Sequence, residues 1–148
     1  MNAFVAAGGG FLLAVLWFDL MFDVQLRGHD AEVPAPVLAS IAAYYARVTT
    51  ASRPMNRLVA AVMLATLAAI VAQIARGEDP RWVGWASLAL AAFPIGLARV
   101  RTVPDAVRLG RRADSADDQQ ALARSILRDH VICFAAILTL LVLQLASA

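Results

Sequence analysis

The sequence has no lysine, a single cysteine and no basic side chain near either end; its thirteen basic residues are all arginine. The lone Cys133 excludes an intramolecular disulfide and any paired-cysteine redox or metal motif. The HExxH and ExxH metal patterns are absent as well. The arginines are not interleaved with the aromatic side chains that single-stranded nucleic acids stack on. We therefore expect no nucleic-acid partner, despite a net charge of +2.

The composition indicates a membrane protein. Hydrophobic residues make up 61% of the chain and the mean hydropathy is +0.68, whereas soluble domains are roughly half apolar. Four stretches reach the ~20 residues needed to cross a bilayer, at 4–26, 54–75, 82–100 and 126–146. The first lacks the positively charged region that begins a signal peptide, so we interpret it as a retained span. The prediction is an all-α, four-helix transmembrane bundle forming one domain over residues 1–148.

The arginines orient this bundle. Eleven of the thirteen lie in loop one, residues 27–53, at the start of the second span, in loop three, residues 101–125, or at the adjoining ends of the third and fourth spans. Arginine-rich loops stay on the cytoplasmic side of a membrane. We therefore predict cytoplasmic loops one and three, with both termini outside, and we expect the membrane to be a bacterial inner membrane.

Loop one is predicted to contain a short helix. Val37, Ile41, Tyr44, Tyr45 and Val48 recur at helical spacing, which is typical of an amphipathic helix at the membrane interface. In loop three, Val103, Pro104 and Asp105 are predicted to break the helix, while Ser115 followed by Asp118 approximates a capping box. That pattern predicts that the fourth helix begins near Ala116.

Two carboxylates lie inside the first predicted span. Asp19 and Asp23 are four residues apart and share a helix face with Arg27. A carboxylate in the hydrocarbon costs about 2.5 to 3.5 kcal/mol at mid-membrane, so such residues usually face the bundle interior. We interpret Asp19 and Asp23 as catalytic candidates; the alternative is that they form purely structural ion pairs with arginines.

Further polar groups begin the fourth span and the second. Asp129 and His130 are the other catalytic candidates, because histidine transfers protons near neutral pH, and Cys133 is expected to be a small core residue. Arginine presents a rigid fork suited to an anionic group. The predicted substrate-binding residues are therefore Arg53, Asn56, Arg57, Arg99 and Arg128. The alternative is that these arginines only set topology and contact lipid phosphates.

The leading functional hypothesis is a small membrane-embedded enzyme. Seven residues are predicted to converge on a polar cavity open to the cytoplasm, where an amphipathic or lipid-like, anionic substrate would bind: Asp19, Asp23, Asn56, Arg57, Arg99, Asp129 and His130. The alternatives are a proton- or ion-coupled transporter and a non-catalytic membrane subunit that docks a partner. An alanine series in the second span favours a homo-oligomer. The sequence indicates no particular cofactor and no metal site, although Asp19, Asp23, Asp129 and His130 would suit one if the first and fourth helices touch.

Overall fold

The computed structural model describes residues 2–29, 32–51, 53–78 and 80–147, residue 53 by its backbone alone. Within these residues the chain forms six α-helices: α1 Asn2–Asp23, α2 Ala35–Thr50, α3 Arg53–Ala75, α4 Arg81–Leu97, α5 Val103–Arg111 and α6 Ala116–Ala146. A 3-10 turn, Val24–Leu26, extends α1. Four helical segments are long and apolar enough to cross a membrane: Asn2–Leu26, Pro54–Ala75, Arg81–Arg111 and Ala116–Ala146. The prediction of an all-α membrane bundle, with a short helix in the first loop, is confirmed.

The start of α6 follows the predicted capping pattern. The Ser115 hydroxyl oxygen accepts a hydrogen bond from the Asp118 backbone N–H at 3.2 Å, and α6 begins at Ala116. A helix of 31 residues rises about 46 Å, which exceeds the ~30 Å of hydrocarbon in a bilayer. The first turns of α6 therefore extend beyond the membrane.

The predicted helix break at Val103, Pro104 and Asp105 is wrong. A π-helical segment, Ala98–Thr102, joins α4 directly to α5, and Val103 keeps right-handed helical geometry at φ −67° and ψ −47°. Pro104 lies in the first turn of α5, directly after the π-helical segment, and it has no backbone N–H that would need an acceptor there. The chain turns later, at Arg112, which adopts the left-handed conformation with φ 55°.

Two separate hydrophobic cores hold the helices together. The span core lies among α1, α3, α4 and α6, and its buried members are Val5, Leu12, Ile70, Ala91, Ile137 and Leu140. The cap core joins α2, α5 and the first half of α6, with Ile41, Leu109 and Ile126 fully buried in it. The short helix of loop one therefore packs against protein on its apolar face. Together with α5 and the start of α6 it forms a cap on the cytoplasmic side of the predicted topology.

Glycines allow the closest helix contacts. A Cβ on Gly110 of α5 would lie 2.7 Å from the Ala46 backbone nitrogen of α2, and one on Gly8 of α1 would overlap the Thr66 hydroxyl oxygen of α3. Contacts this short exclude any larger side chain unless the neighbour moves. Gly8 thus allows α1 to approach α3 closely.

Most of the alanine series of α3 does not pack inside the chain. Ala60, Ala61, Ala65 and Ala68 are exposed, whereas Ala69 is partly buried against the span core. The four exposed alanines therefore point away from the bundle, toward lipid or another protein.

Candidate functional site

The first helix aligns two carboxylates because they are one turn apart. Asp23, at the end of α1, is completely buried, and the Asp19 side chain remains 17% exposed. Burying a carboxylate without partners is costly. The surrounding helices must therefore supply hydrogen-bond donors to Asp23.

Helix α2 supplies one hydrogen-bond donor to each carboxylate. The Tyr45 hydroxyl donates to Asp23 Oδ1 at 2.6 Å, and the Tyr44 hydroxyl donates to Asp19 Oδ1 at 2.6 Å. Burial raises the pKa of both tyrosines above the ordinary value, and the neighbouring carboxylates raise it further. Both hydroxyls therefore stay protonated and keep donating. The Phe22 ring stacks on the Tyr44 ring, with centroids 3.9 Å apart, and holds it beside Asp19.

Helix α6 supplies His130, whose ring lies between the two carboxylates. Its Nδ1 is 2.7 Å from Asp23 Oδ2, and its Nε2 is 3.9 Å from Asp19 Oδ2. A hydrogen bond between an imidazole nitrogen and a carboxyl oxygen requires a proton on one of the two, so His130 and Asp23 share a proton. We call Asp19, Asp23, Tyr44, Tyr45 and His130 the carboxylate cluster. It links α1, α2 and α6, and through Tyr45 it adjoins the cap core.

Asp129 belongs to a different group of side chains. It is 1% exposed, Arg101 Nε lies 3.4 Å from its Oδ2, and the Thr102 hydroxyl donates to the same oxygen at 3.3 Å. Arg101 also donates to Ser125 Oγ, whose hydroxyl donates to Asp105 Oδ2 at 3.1 Å. The π-helical segment Ala98–Thr102 therefore brings Arg101 and Thr102 to Asp129. The Arg128 side chain stays mostly exposed, with its Nε 3.7 Å from Asp129 Oδ1.

The predicted binding residues do not converge on the carboxylate cluster. Asn56, Arg57 and Arg99 are exposed, and the Asn56 amide donates to the Val48 carbonyl oxygen at 2.9 Å. The side chain of Arg53 lies outside the described residues. Of the seven residues predicted to share one cavity, the structure brings together only Asp19, Asp23 and His130. The alternative, in which these arginines only set topology and contact lipid phosphates, stays a hypothesis.

Two clefts among the described residues lie away from the carboxylate cluster. One cleft of about 300 Å³ lies between α2 and α5, lined by Ala46, Thr49, Thr50, Val107, Gly110 and Arg111. Another lies at the turn from α3 to α4, beside Gly77, Arg81 and Trp85. Within the described part of the chain, no three His, Cys, Asp or Glu residues form a group that could hold a metal ion. Cys133 is buried in the described residues, in agreement with its expected core position.

A second polar network lies near the opposite ends of the spans. The Gln144 amide nitrogen donates to Ser87 Oγ at 2.7 Å and lies 3.3 Å from Gln73 Oε1. The Gln73 amide in turn donates to Asn2 Oδ1 at 2.9 Å. The span core, with residues such as Leu12 and Ile137, lies between this network and the carboxylate cluster. The described residues thus show two polar layers separated by an apolar one, and that is not the continuous polar path that transport requires.

Sequence comparison identifies the family. A family model named SHR3 chaperone, with the description "ER membrane protein SH3", matches residues 1–148. The chain belongs to the SHR3 chaperone family. No curated protein and no solved structure shows a significant match to it.

Membership of the SHR3 chaperone family corrects two predictions. The leading hypothesis of a membrane-embedded enzyme is wrong, because the family is one of membrane chaperones. The expected bacterial inner membrane is also wrong, because the family description places its members in the ER membrane. Integral membrane association itself is supported. Polar side chains inside the spans had suggested catalysis, but in the structure Asp19, Asp23 and His130 form hydrogen bonds or close contacts with one another and with the tyrosines.

Proposed function

We propose that this chain is a non-catalytic membrane subunit of the chaperone type, which holds partner membrane proteins while they fold. The observation that carries the proposal is the family match over residues 1–148. The carboxylate cluster is consistent with it, since the acids and the histidine contact each other and the tyrosines. We further propose that loops one and three face the cytosol and that both termini face the ER lumen, because arginine-rich loops also stay on the cytosolic side of the ER membrane.

We propose the exposed face of α3 as the surface that contacts partner helices. Small side chains let two helices approach closely in lipid, where packing and hydrogen bonds drive association. Ala60, Ala61, Ala65 and Ala68 supply such a surface, and all of them are exposed. The bulkier Leu64 on the same face is 68% exposed. A face of this kind accepts helices of varied sequence, as a chaperone for several partners requires.

The same face of α3 would also accommodate a second copy of the chain. A homo-oligomer is therefore part of the proposal for the state without a partner, and a folding partner would compete for the face. Membrane lipids contact the remaining exposed apolar side chains. A separate small-molecule ligand is not part of the proposal.

Site-specific photocrosslinking during synthesis tests this function. A photoreactive benzoylphenylalanine replaces Leu64, and ER microsomes are prepared that contain this variant. Polytopic membrane proteins are then synthesised into these microsomes and stalled on the ribosome after each successive span. We expect crosslinks to the incomplete chains and few to the completed, folded proteins, since folding buries the spans that the chaperone would hold. The matched control places the same probe at Val142 of α6, which is 58% exposed but lies on another helix.

The outcomes separate the two parts of the proposal. Equal crosslinking from Leu64 and Val142 would reject α3 as the contact surface. If neither position crosslinks to incomplete chains, or if both crosslink equally well to completed ones, then the chaperone function itself is rejected.

A further inference from the structure

The carboxylate cluster contains more acid than its own bases balance. Two carboxylates, Asp19 and Asp23, face one imidazole, that of His130, and the two tyrosines are neutral donors. With both carboxylates ionised and His130 protonated, these groups sum to one negative charge. Arg101 lies beside Asp129 instead, and Arg57 and Arg99 are exposed. His130 is the basic side chain that contacts Asp19 and Asp23 within 4 Å among the described residues.

Asp19 is the carboxylate with fewer hydrogen bonds inside the chain. Both oxygens of Asp23 accept hydrogen bonds at 2.6 and 2.7 Å, from Tyr45 and His130. Only Oδ1 of Asp19 is similarly bonded, by Tyr44, whereas its Oδ2 lies 3.9 Å from His130 Nε2, beyond hydrogen-bond distance. The Asp19 side chain is also the more accessible of the two carboxylates, 17% against 0% exposed. It therefore has an oxygen available to a donor from outside the chain.

Asp19 lies at a depth where lipid is a poor neighbour for it. Leu26, the end of the first span, is seven positions further along the chain, which corresponds to roughly 10 Å along the helix. Phe18 beside it in α1 is 62% exposed, so this part of α1 borders the surrounding membrane. An uncompensated carboxylate there is costly unless a cation or hydrogen-bond donor reaches it.

We propose that Asp19 binds a cationic side chain, arginine above all, on a transmembrane helix of the partner protein. The occupant follows from charge complementarity: a guanidinium offers several N–H donors to the available oxygen and balances the excess negative charge. A partner helix with an intramembrane arginine is itself unstable in lipid until it finds its final contacts. Asp19 would shield that arginine until the partner folds. This inference rests on the proposed chaperone function and specifies the chemistry that it recognises.

A binding experiment with synthetic helices tests the inference. The full chain is placed in lipid nanodiscs with single-span leucine-alanine peptides that carry one guest residue about 10 Å inside their cytosolic end, the depth estimated for Asp19. The guests are Arg, Gln, Leu and Glu, and binding is measured by fluorescence energy transfer. We expect the Arg peptide to bind at least about tenfold more tightly than the Leu peptide, a difference of about 1.4 kcal/mol. The Glu peptide should bind most weakly.

Variants of Asp19 separate recognition from folding. Asp19→Asn keeps the size of the side chain and should reduce the preference for Arg to nearly none, while Leu-peptide binding stays unchanged. Asp19→Glu retains the carboxylate and should restore the preference. Asp117→Asn is the matched control, because Asp117 is an exposed acid in the first turn of α6, and it should leave all four affinities unchanged.

Several results would overturn the inference. It fails if the four peptides bind equally to the wild-type chain, or if Asp19→Asn retains the full preference for Arg. It also fails if Asp19→Asn affects only self-association of the chain or retention of amine-headed lipids, because the occupant would then be a second copy or a lipid. Equal binding of all peptides, combined with normal crosslinking to incomplete membrane proteins, would reject the role of Asp19 and leave the chaperone function intact.

Discussion

Replacing Tyr45 with phenylalanine should destabilise the fold by about 2 kcal/mol. The substitution removes only the hydroxyl that donates to Asp23 Oδ1 at 2.6 Å, and the ring remains in the cap core. Hydrogen bonds to charged groups contribute about 1.5 to 3 kcal/mol. Tyr45 is 3% exposed and Asp23 is fully buried, so water does not readily replace the lost donor. A loss of 2 kcal/mol corresponds to roughly a 30-fold change in the unfolding equilibrium.

Unfolding in mixed detergent micelles, followed by tryptophan fluorescence, measures this loss. The matched control is Tyr44→Phe, which removes the equivalent hydroxyl from Asp19. Tyr44 is only half-buried and the Asp19 carboxylate retains some exposure, so we expect a smaller loss, under about 1 kcal/mol. If Tyr45→Phe costs no more than Tyr44→Phe, or increases stability, the carboxylate cluster does not hold α1, α2 and α6 together as described.

Three further predictions follow from single features of the fold. Tyr44 and Tyr45 are the only tyrosines and both have a raised pKa, so the phenolate absorbance of the folded protein should stay low at about pH 11, where ordinary tyrosines with pKa ≈ 10 are ionised. Since the tyrosines of the unfolded chain lose their protons at a lower pH than those of the folded chain, the free energy of unfolding should fall as pH rises above about 10. Normal titration of both residues in the folded protein would contradict the burial of their hydroxyls. Gly110→Ala should destabilise the fold by about 1 to 3 kcal/mol, because the added Cβ would clash with the Ala46 backbone. The control Gly96→Ala, whose Cβ meets nothing within 4 Å, should be neutral or stabilising in the same unfolding assay. Equal effects of the two substitutions would reject the α2–α5 packing. A C-terminal tag should be protected from protease in intact ER microsomes, and digestion of the tag there would reverse the topology.

Much of the bundle could be predicted because a bilayer imposes simple rules on a sequence. Apolar length determined the four spans, and the Ser115 cap determined where α6 begins. The one-turn spacing of Asp19 and Asp23, together with His130 at a similar depth, indicated that these three residues would meet. Each of these inferences depends on the residue pattern within a single helix, or on the depth of a residue in the membrane.

Other features depended on contacts between helices that the sequence does not reveal. Tyr44 and Tyr45 were assigned to the apolar face of α2 because their rings fit its periodicity. Their hydroxyls become functional only because α2 packs across the ends of α1 and α6. Arg101 was missed because Val103, Pro104 and Asp105 indicated a break, whereas a π-helical segment continues the helix and directs Arg101 to Asp129. The enzyme hypothesis failed for a related reason: acids and histidine that pair with each other resemble a catalytic site in sequence.

The central claim is that the chain assists the folding of other membrane proteins without chemistry of its own. The most direct measurement is the fraction of newly synthesised polytopic membrane protein that remains monodisperse in mild detergent, after translation into ER-type membranes that contain or lack this chain. We expect the monodisperse fraction of the partner to rise with the amount of the chain until the chain and the partner are present in comparable amounts. A fraction that does not change over that range would contradict the account.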